Sequence, residues 1–278
     1  MGRRAWARAS LAVAIGVTTC VALVGPIGAS VSEKSSRPCS GKSRTPAPMD
    51  SRATPYLQGN ASPVLPPGDP RKIAVLAVGP QVVSFGSVFD TVPLVVRNNT
   101  CTPVAHVEVT GTARSATGAL VASVTSQGIE PATLGPGEVG IGHLYLGSQV
   151  QLPAGVQFSL TAAGQKSLGV LKDYLAGLKI TDLTAQQGSS GLGPTVTGIA
   201  QNPRSAAVTG PFGVDVVCFD QASNSLGEAE GFANQAGNSL PAGGTTSFTV
   251  QLDTPTCPVF LAGGSGFDQR ELGTSVTS

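Results

Sequence analysis

The sequence predicts an all-β protein: two tandem antiparallel β-sandwich modules behind an N-terminal signal peptide and a disordered tether. Three observations predict it. The 278-residue chain carries 36 glycines and 21 prolines but only 12% charged and 5% aromatic residues. That much turn punctuation in a chain rich in Val, Ala and Leu suits many short strands better than long helices. From residue 72 the text breaks into short β-branched runs ("KIAVLAV", "TVPLVVRN", "AHVEVTGTA", "VGIGHLYL", "VQFSLTA") separated by turn-like "NNTCTP", "SATG", "LGPGE" and "LPAG". Finally, the second half repeats the landmarks of the first in the same order.

Residues 1–30 read as the signal peptide. Arg3, Arg4 and Arg8 precede a charge-free apolar run that ends in small residues, the layout of an export signal. Two rivals stay open: an uncleaved membrane anchor, because the run from Ala9 to Ser32 is long enough to span, and lipidation at Cys20 in "VTTC". Membrane contact is expected only under one of these. Residues 31–70, rich in Ser, Pro and charge, lack apolar periodicity and read as a disordered tether.

Module 1 is assigned to residues 71–166. In "HVEVTGT", Val107, Val109 and Gly111 alternate with Glu108, Thr110 and Thr112, the period of a half-buried strand. Residues 167–178 form a connector, either a short helix on Leu168, Leu171, Leu175 and Leu178 or an edge strand. Module 2 is assigned to 179–268 and a polar tail to 269–278. The repeat pairs "KIAVLAV" with "KITDLTA", "TVPLVVRNN" with "PTVTGIAQN", "VEV" (107–109) with "VDV" (214–216), and "VQFSLTAAG" with "PVFLAGGSG"; Leu120 and Leu226 each stand 14 residues before Leu134 and Leu240.

Charge is unevenly spread. Beyond residue 30 the chain holds 14 basic and 16 acidic side chains, with the basic excess in the tether and the acidic excess in the modules. No segment is basic enough to suggest nucleic acid as a partner.

In module 2, "VVCFD" (216–220) is followed by "QASNSLGEAEG" and then "LPAGGTTSFTV". This resembles the FxLYD-type domain of exported bacterial proteins. Val216, Cys218, Phe219 and Asp220 stand at that motif's Phe, Leu, Tyr and Asp, and Phe248 matches its later aromatic. Two of the four motif positions depart from the pattern, and module 1 has "VTGTAR" in its place. The resemblance covers about 180 to 262. It implies an immunoglobulin-like sandwich outside the cytoplasm and no particular activity.

Export implies an oxidising compartment, where cysteines pair. Apart from Cys20 the chain has Cys39, Cys101, Cys218 and Cys257, which allow three connectivities. We expect Cys218–Cys257 within module 2 and Cys39–Cys101 joining tether to module 1, since each pair stays within or beside one module.

Little else reads as chemistry. "GPGEVG" matches G-x-G-x-x-G, but Pro136 and Gly137 make a turn rather than open a helix. No serine stands in a G-x-S-x-G turn. His106 and His143 are the only histidines; with Asp220 they are weak metal candidates, against the simpler reading of side chains on sheet faces and a turn-capping aspartate. In "VDVVCFD", Val214, Val216 and Cys218 share one strand face while Asp215, Val217 and Phe219 share the other. Asp215 therefore points away from Cys218. No catalytic residue and no cofactor is assigned. The sequence reads as an exported cell-envelope protein with a non-catalytic binding or structural role toward an envelope protein or polymer. The alternatives are a surface-polymer hydrolase or metal-dependent enzyme, and a small-ligand carrier using the groove between modules.

Overall fold

The computed structural model describes Asp50, Thr54 and residues 56–83, 90–147, 150–164, 175–188, 193–234 and 238–267. The expected signal peptide, the tail and most of the connector lie outside these residues. Every regular element among the described residues is a strand, and every pairing is antiparallel. No helix among them is long and apolar enough to cross a membrane.

One short strand, β1 (Leu57–Gly59), precedes the first half. That half comprises β2 (Ile73–Val78), β3 (Thr91–Asn98), β4 (Val104–Ala105), β5 (Val107–Arg114), β6 (Leu120–Glu130), β7 (Thr133–Leu134), β8 (Val139–Tyr145) and β9 (Gln157–Gly164). The second half comprises β10 (Leu175–Gly177), β11 (Lys179–Gln186), β12 (Thr195–Gln201), β13 (Val208–Phe219), β14 (Ser225–Asn234), β15 (Ser239–Leu240), β16 (Thr245–Gln251) and β17 (Val259–Phe267).

The repeat is structural as well as textual. The first half is ordered β2-β3-β8-β6-β5-β9, and the second contains β11-β12-β16-β14-β13-β17, the same path. In each half one long strand passes from layer to layer. β6 pairs with β5 through its first part and with β8 through its last; β14 pairs with β13 and then with β16. Each half thereby closes two layers over its own apolar core, as a sandwich does. Leu94, Val96, Val109 and Leu144 lie in the first core. Ile180, Val216, Cys218, Phe248 and Phe260 lie in the second.

Both halves use the same buried asparagine to fasten a turn. Asn98 Nδ2 donates to Thr102 O (2.8 Å) and Leu134 O (2.9 Å), while Asn98 Oδ1 accepts from Thr100 N. Asn202 Nδ2 donates to Ala206 O (2.8 Å) and Leu240 O (3.0 Å), while Asn202 Oδ1 accepts from Arg204 N. The carbonyls of Asn98 and Asn202 accept from Gly137 N and Gly243 N. Those glycines have φ of 84° and 69°, a left-handed conformation that glycine adopts without strain. These are the "GPG" and "PAGG" turns of the sequence.

A third core lies between the halves. Val95, Val139 and Ile141 on the outer face of β3 and β8 pack on Val217, Phe219 and Leu261 on the outer face of β13 and β17, with Leu57 of β1 among them. These strands are thus buried on both faces, which is why "TVPLVVRN" is apolar almost throughout.

The expected disordered tether does not reach residue 70. β1 pairs with β17 through Leu57↔Gly263 and Gly59↔Leu261, and Leu57 is wholly buried. Beyond it, Arg97 Nη1 donates to Pro66 O (2.8 Å) and Asn99 Nδ2 to Pro67 O and Asp69 O. The physical reason is that one apolar residue and a row of backbone carbonyls complete an edge and a buried cation, needs that lie more than 25 residues away in the chain. The described residues at the connector's end, Leu175–Gly177, form β10, which pairs with β17 through Leu175↔Phe267.

Candidate functional site

The sequence-stated candidates separate in space. Cys218 and Cys257 form a disulfide, 39 residues apart with Cα atoms 5.3 Å apart, inside the second core. Cys101 is also disulfide-bonded; the expected partner, Cys39, lies outside the described residues. Asp220 accepts from Asn224 N and Asn224 Nδ2, both at 2.8 Å, and those bonds hold its carboxyl below the ordinary value. It caps its own turn. His106 sits between β4 and β5 with φ of 48°, its backbone N–H bonded to Ala132 O. Neither joins His143.

His143 instead meets two carboxylates from the other half. Register explains why. On β8, Val139, Ile141, His143 and Tyr145 alternate onto the outer face, with His143 opposite Pro93 and Tyr145 opposite Thr91 on β3. On β13 and β14, Asp215 lies opposite Glu230 and Val217 opposite Glu228, so these four share the outer face of the second half. Packing the two faces together brings His143 Nδ1 to 3.7 Å from Glu228 Oε2 and 3.9 Å from Asp215 Oδ1. The side chains of His143, Asp215 and Glu228 are 10%, 15% and 6% exposed.

Neighbours fix each group. Thr91 Oγ1 donates to Glu228 Oε1 (2.5 Å), which leaves Oε2 to face His143. The Tyr145 ring meets the His143 ring edge-on, with centroids 4.7 Å apart. Glu130, the last residue of β6, enters beside Asp215 over Gly263. An added Cβ at Gly263 would lie 2.7 Å from Glu130 Cβ, so only glycine leaves room there.

The cluster is short of partners. His143 Nδ1, Asp215 Oδ1 and Glu130 Oε2 are buried without a hydrogen bond. Burial, with the charges of Glu230 and Glu228, pushes Asp215 well above the usual carboxylate range. Burial and Asp215 raise Glu130 to about 8, against a hydrogen bond from Ser265. Glu228 is raised by burial, less so because His143 and Thr91 favour its charged form. Tyr145 is raised to about 12, by burial first and then by Glu230.

Two clefts flank this interface. One of about 160 Å³ is lined by Gln81, Val82, Glu228, Asp253 and Thr254 and opens onto the cluster at Glu228. Another, of about 510 Å³, lies between Pro103, Pro131 and Glu138 of the first half and Tyr56, Gly177 and Arg204.

Sequence reasoning singled out His143 but missed Asp215, Glu228 and Glu130 as its neighbours. One signal was present: Val217 and Phe219 are apolar on the same strand face as Asp215, which marks that face as buried rather than solvated. No known family model matches this chain, and no curated protein matches it either.

Proposed function

We propose that this is an exported, extracytoplasmic protein of a bacterial cell envelope whose two sandwich modules bind or brace an envelope protein or polymer without catalysing a reaction. The observation that carries the reading is the Cys218–Cys257 disulfide at the centre of the second core, because such bonds persist in oxidising compartments. It is supported by the Arg-led, charge-free N-terminal run and by the buried face that joins the halves into one stiff body. The resemblance of residues 180 to 262 to the FxLYD-type domain fits the same reading. Fractionation of the native cell, followed by crosslinking and pull-down from the envelope, tests it. A cytoplasmic protein with all five thiols free would overturn it.

The 510 Å³ cleft favours a second reading, a small-ligand carrier. Arg204, Glu138 and the Tyr56 ring in its lining would suit a small polar ligand with an apolar part. Native mass spectrometry of protein taken gently from cells separates the two: a bound small molecule would favour the carrier.

A further inference from the structure

We propose that His143, Asp215 and Glu228 bind one divalent transition-metal ion of the zinc class, and that this ion clasps the two halves together. Three observations carry the proposal. The first is ligand geometry. His143 Nδ1, Asp215 Oδ1 and Glu228 Oε2 all lie within 4.8 Å of one another, two of the separations being 3.7 and 3.9 Å. Around an ion with bonds of about 2.0–2.1 Å, tetrahedral ligand atoms stand about 3.3–3.4 Å apart. The two separations from His143 exceed that by a few tenths of an ångström, and with the two carboxylates drawn together from within 4.8 Å the three groups would meet on one ion, leaving a fourth position for water.

The second is the state of His143. Its ring is nine-tenths buried, yet Nδ1 has no hydrogen-bond partner. It stands 3.7 and 3.9 Å from two carboxylate oxygens, the arrangement of ligands about a common centre. A nitrogen left bare in such a place is costly unless something else occupies its lone pair.

The third is support and access. Thr91 fixes the Glu228 carboxylate through the oxygen that does not face the histidine, the role an outer partner plays at metal sites. The cleft lined by Gln81 and Asp253 reaches one of the three ligands, Glu228. One nitrogen and two carboxylate oxygens suit zinc and its neighbours rather than the all-oxygen shells of calcium. Because His143 comes from β8 and the two acids from β13 and β14, the ion would bridge the halves.

The test uses the full chain without a polyhistidine tag, stripped with EDTA and titrated with Zn²⁺ alone by calorimetry. One equivalent should bind with a dissociation constant in the micromolar range or tighter. H143Q and D215N should each weaken binding at least tenfold, and H106Q should not. Since a variant could fail by unfolding, the wild-type protein labelled with ¹⁵N-histidine supplies a second reading. The chain has two histidines, and zinc should move the Nδ1 resonance of the His143 ring and leave the His106 ring in place. Absence of saturable binding below about 100 μM, unchanged affinity in a folded H143Q, or a response at His106 alone would overturn the proposal. It stands independently of where the protein resides.

Discussion

Glu130→Gln should make the protein's stability less sensitive to pH, in a metal-free buffer containing EDTA. Glu130 is raised from 4.5 to about 8 in the folded protein, by burial first and by Asp215 second. Between those values the folded chain keeps a proton that the unfolded chain has released. Stability conferred by that proton is fully present below pH 4.5 and is lost as pH rises toward 8. One such group contributes a slope of about −1.4 kcal/mol per pH unit, and integrating both equilibria from pH 5 to pH 8 gives a loss of about 3 kcal/mol. Glutamine has the shape of the protonated acid and cannot release the proton. E130Q should therefore match wild type near pH 5 and exceed it by about 3 kcal/mol near pH 8. Urea unfolding followed by far-UV circular dichroism and tyrosine fluorescence at several pH values measures the difference. Parallel stability curves for the two proteins, or a wild type that gains stability from pH 5 to 8, would refute the reasoning.

Other substitutions test the fold. Replacing both Cys218 and Cys257 with alanine opens a loop of 39 residues and should cost about 4 kcal/mol by chain entropy; urea unfolding with and without reductant reads it, and a wild type indifferent to reductant would argue against the bond. Asn202→Ala removes the Nδ2 donor from Leu240 O, which is buried, and from Ala206 O, which is half-buried, and should cost about 2–3 kcal/mol. Asn98→Ala should cost a similar amount, and a large asymmetry in thermal melts would deny that the two turns are equivalent. Phe219→Ala empties a wholly buried site between the halves and should cost about 3–5 kcal/mol in urea unfolding.

Much of the architecture could be read from the sequence because it rests on local rules. Alternation placed Val216 and Cys218 inward and Asp215 and Phe219 outward, and the structure places them so. The textual repeat sets Asn202 opposite Asn99, one residue off: it is Asn98 and Asn202 that fasten equivalent turns. What escaped was every consequence of packing one half on the other. Asp215 and Glu228 meet only through His143, which stands more than 70 residues away in the chain, a distance that no local pattern spans. Leu57 looked like one apolar residue in a polar stretch, because the edge that needs it is formed by residues 261–263.

The pairing of β1 with β17 also orders events in time. Asn60 exchanges hydrogen bonds with Pro258 O and Phe260 N, across 198 and 200 residues, so contacts made near the start of the chain wait for its end. A polypeptide that emerges from its N-terminus first would present β1 unpaired while the whole of both sandwiches is still being delivered. The first half can condense early on local contacts, but its outer face must stay uncovered until β13 and β17 arrive. β17, the last strand among the described residues, is therefore the one that completes the body. A chain truncated before residue 259 would lose the partner of β1, β10 and β13 at a single stroke, leaving an open sheet edge of the kind that recruits strands from other chains.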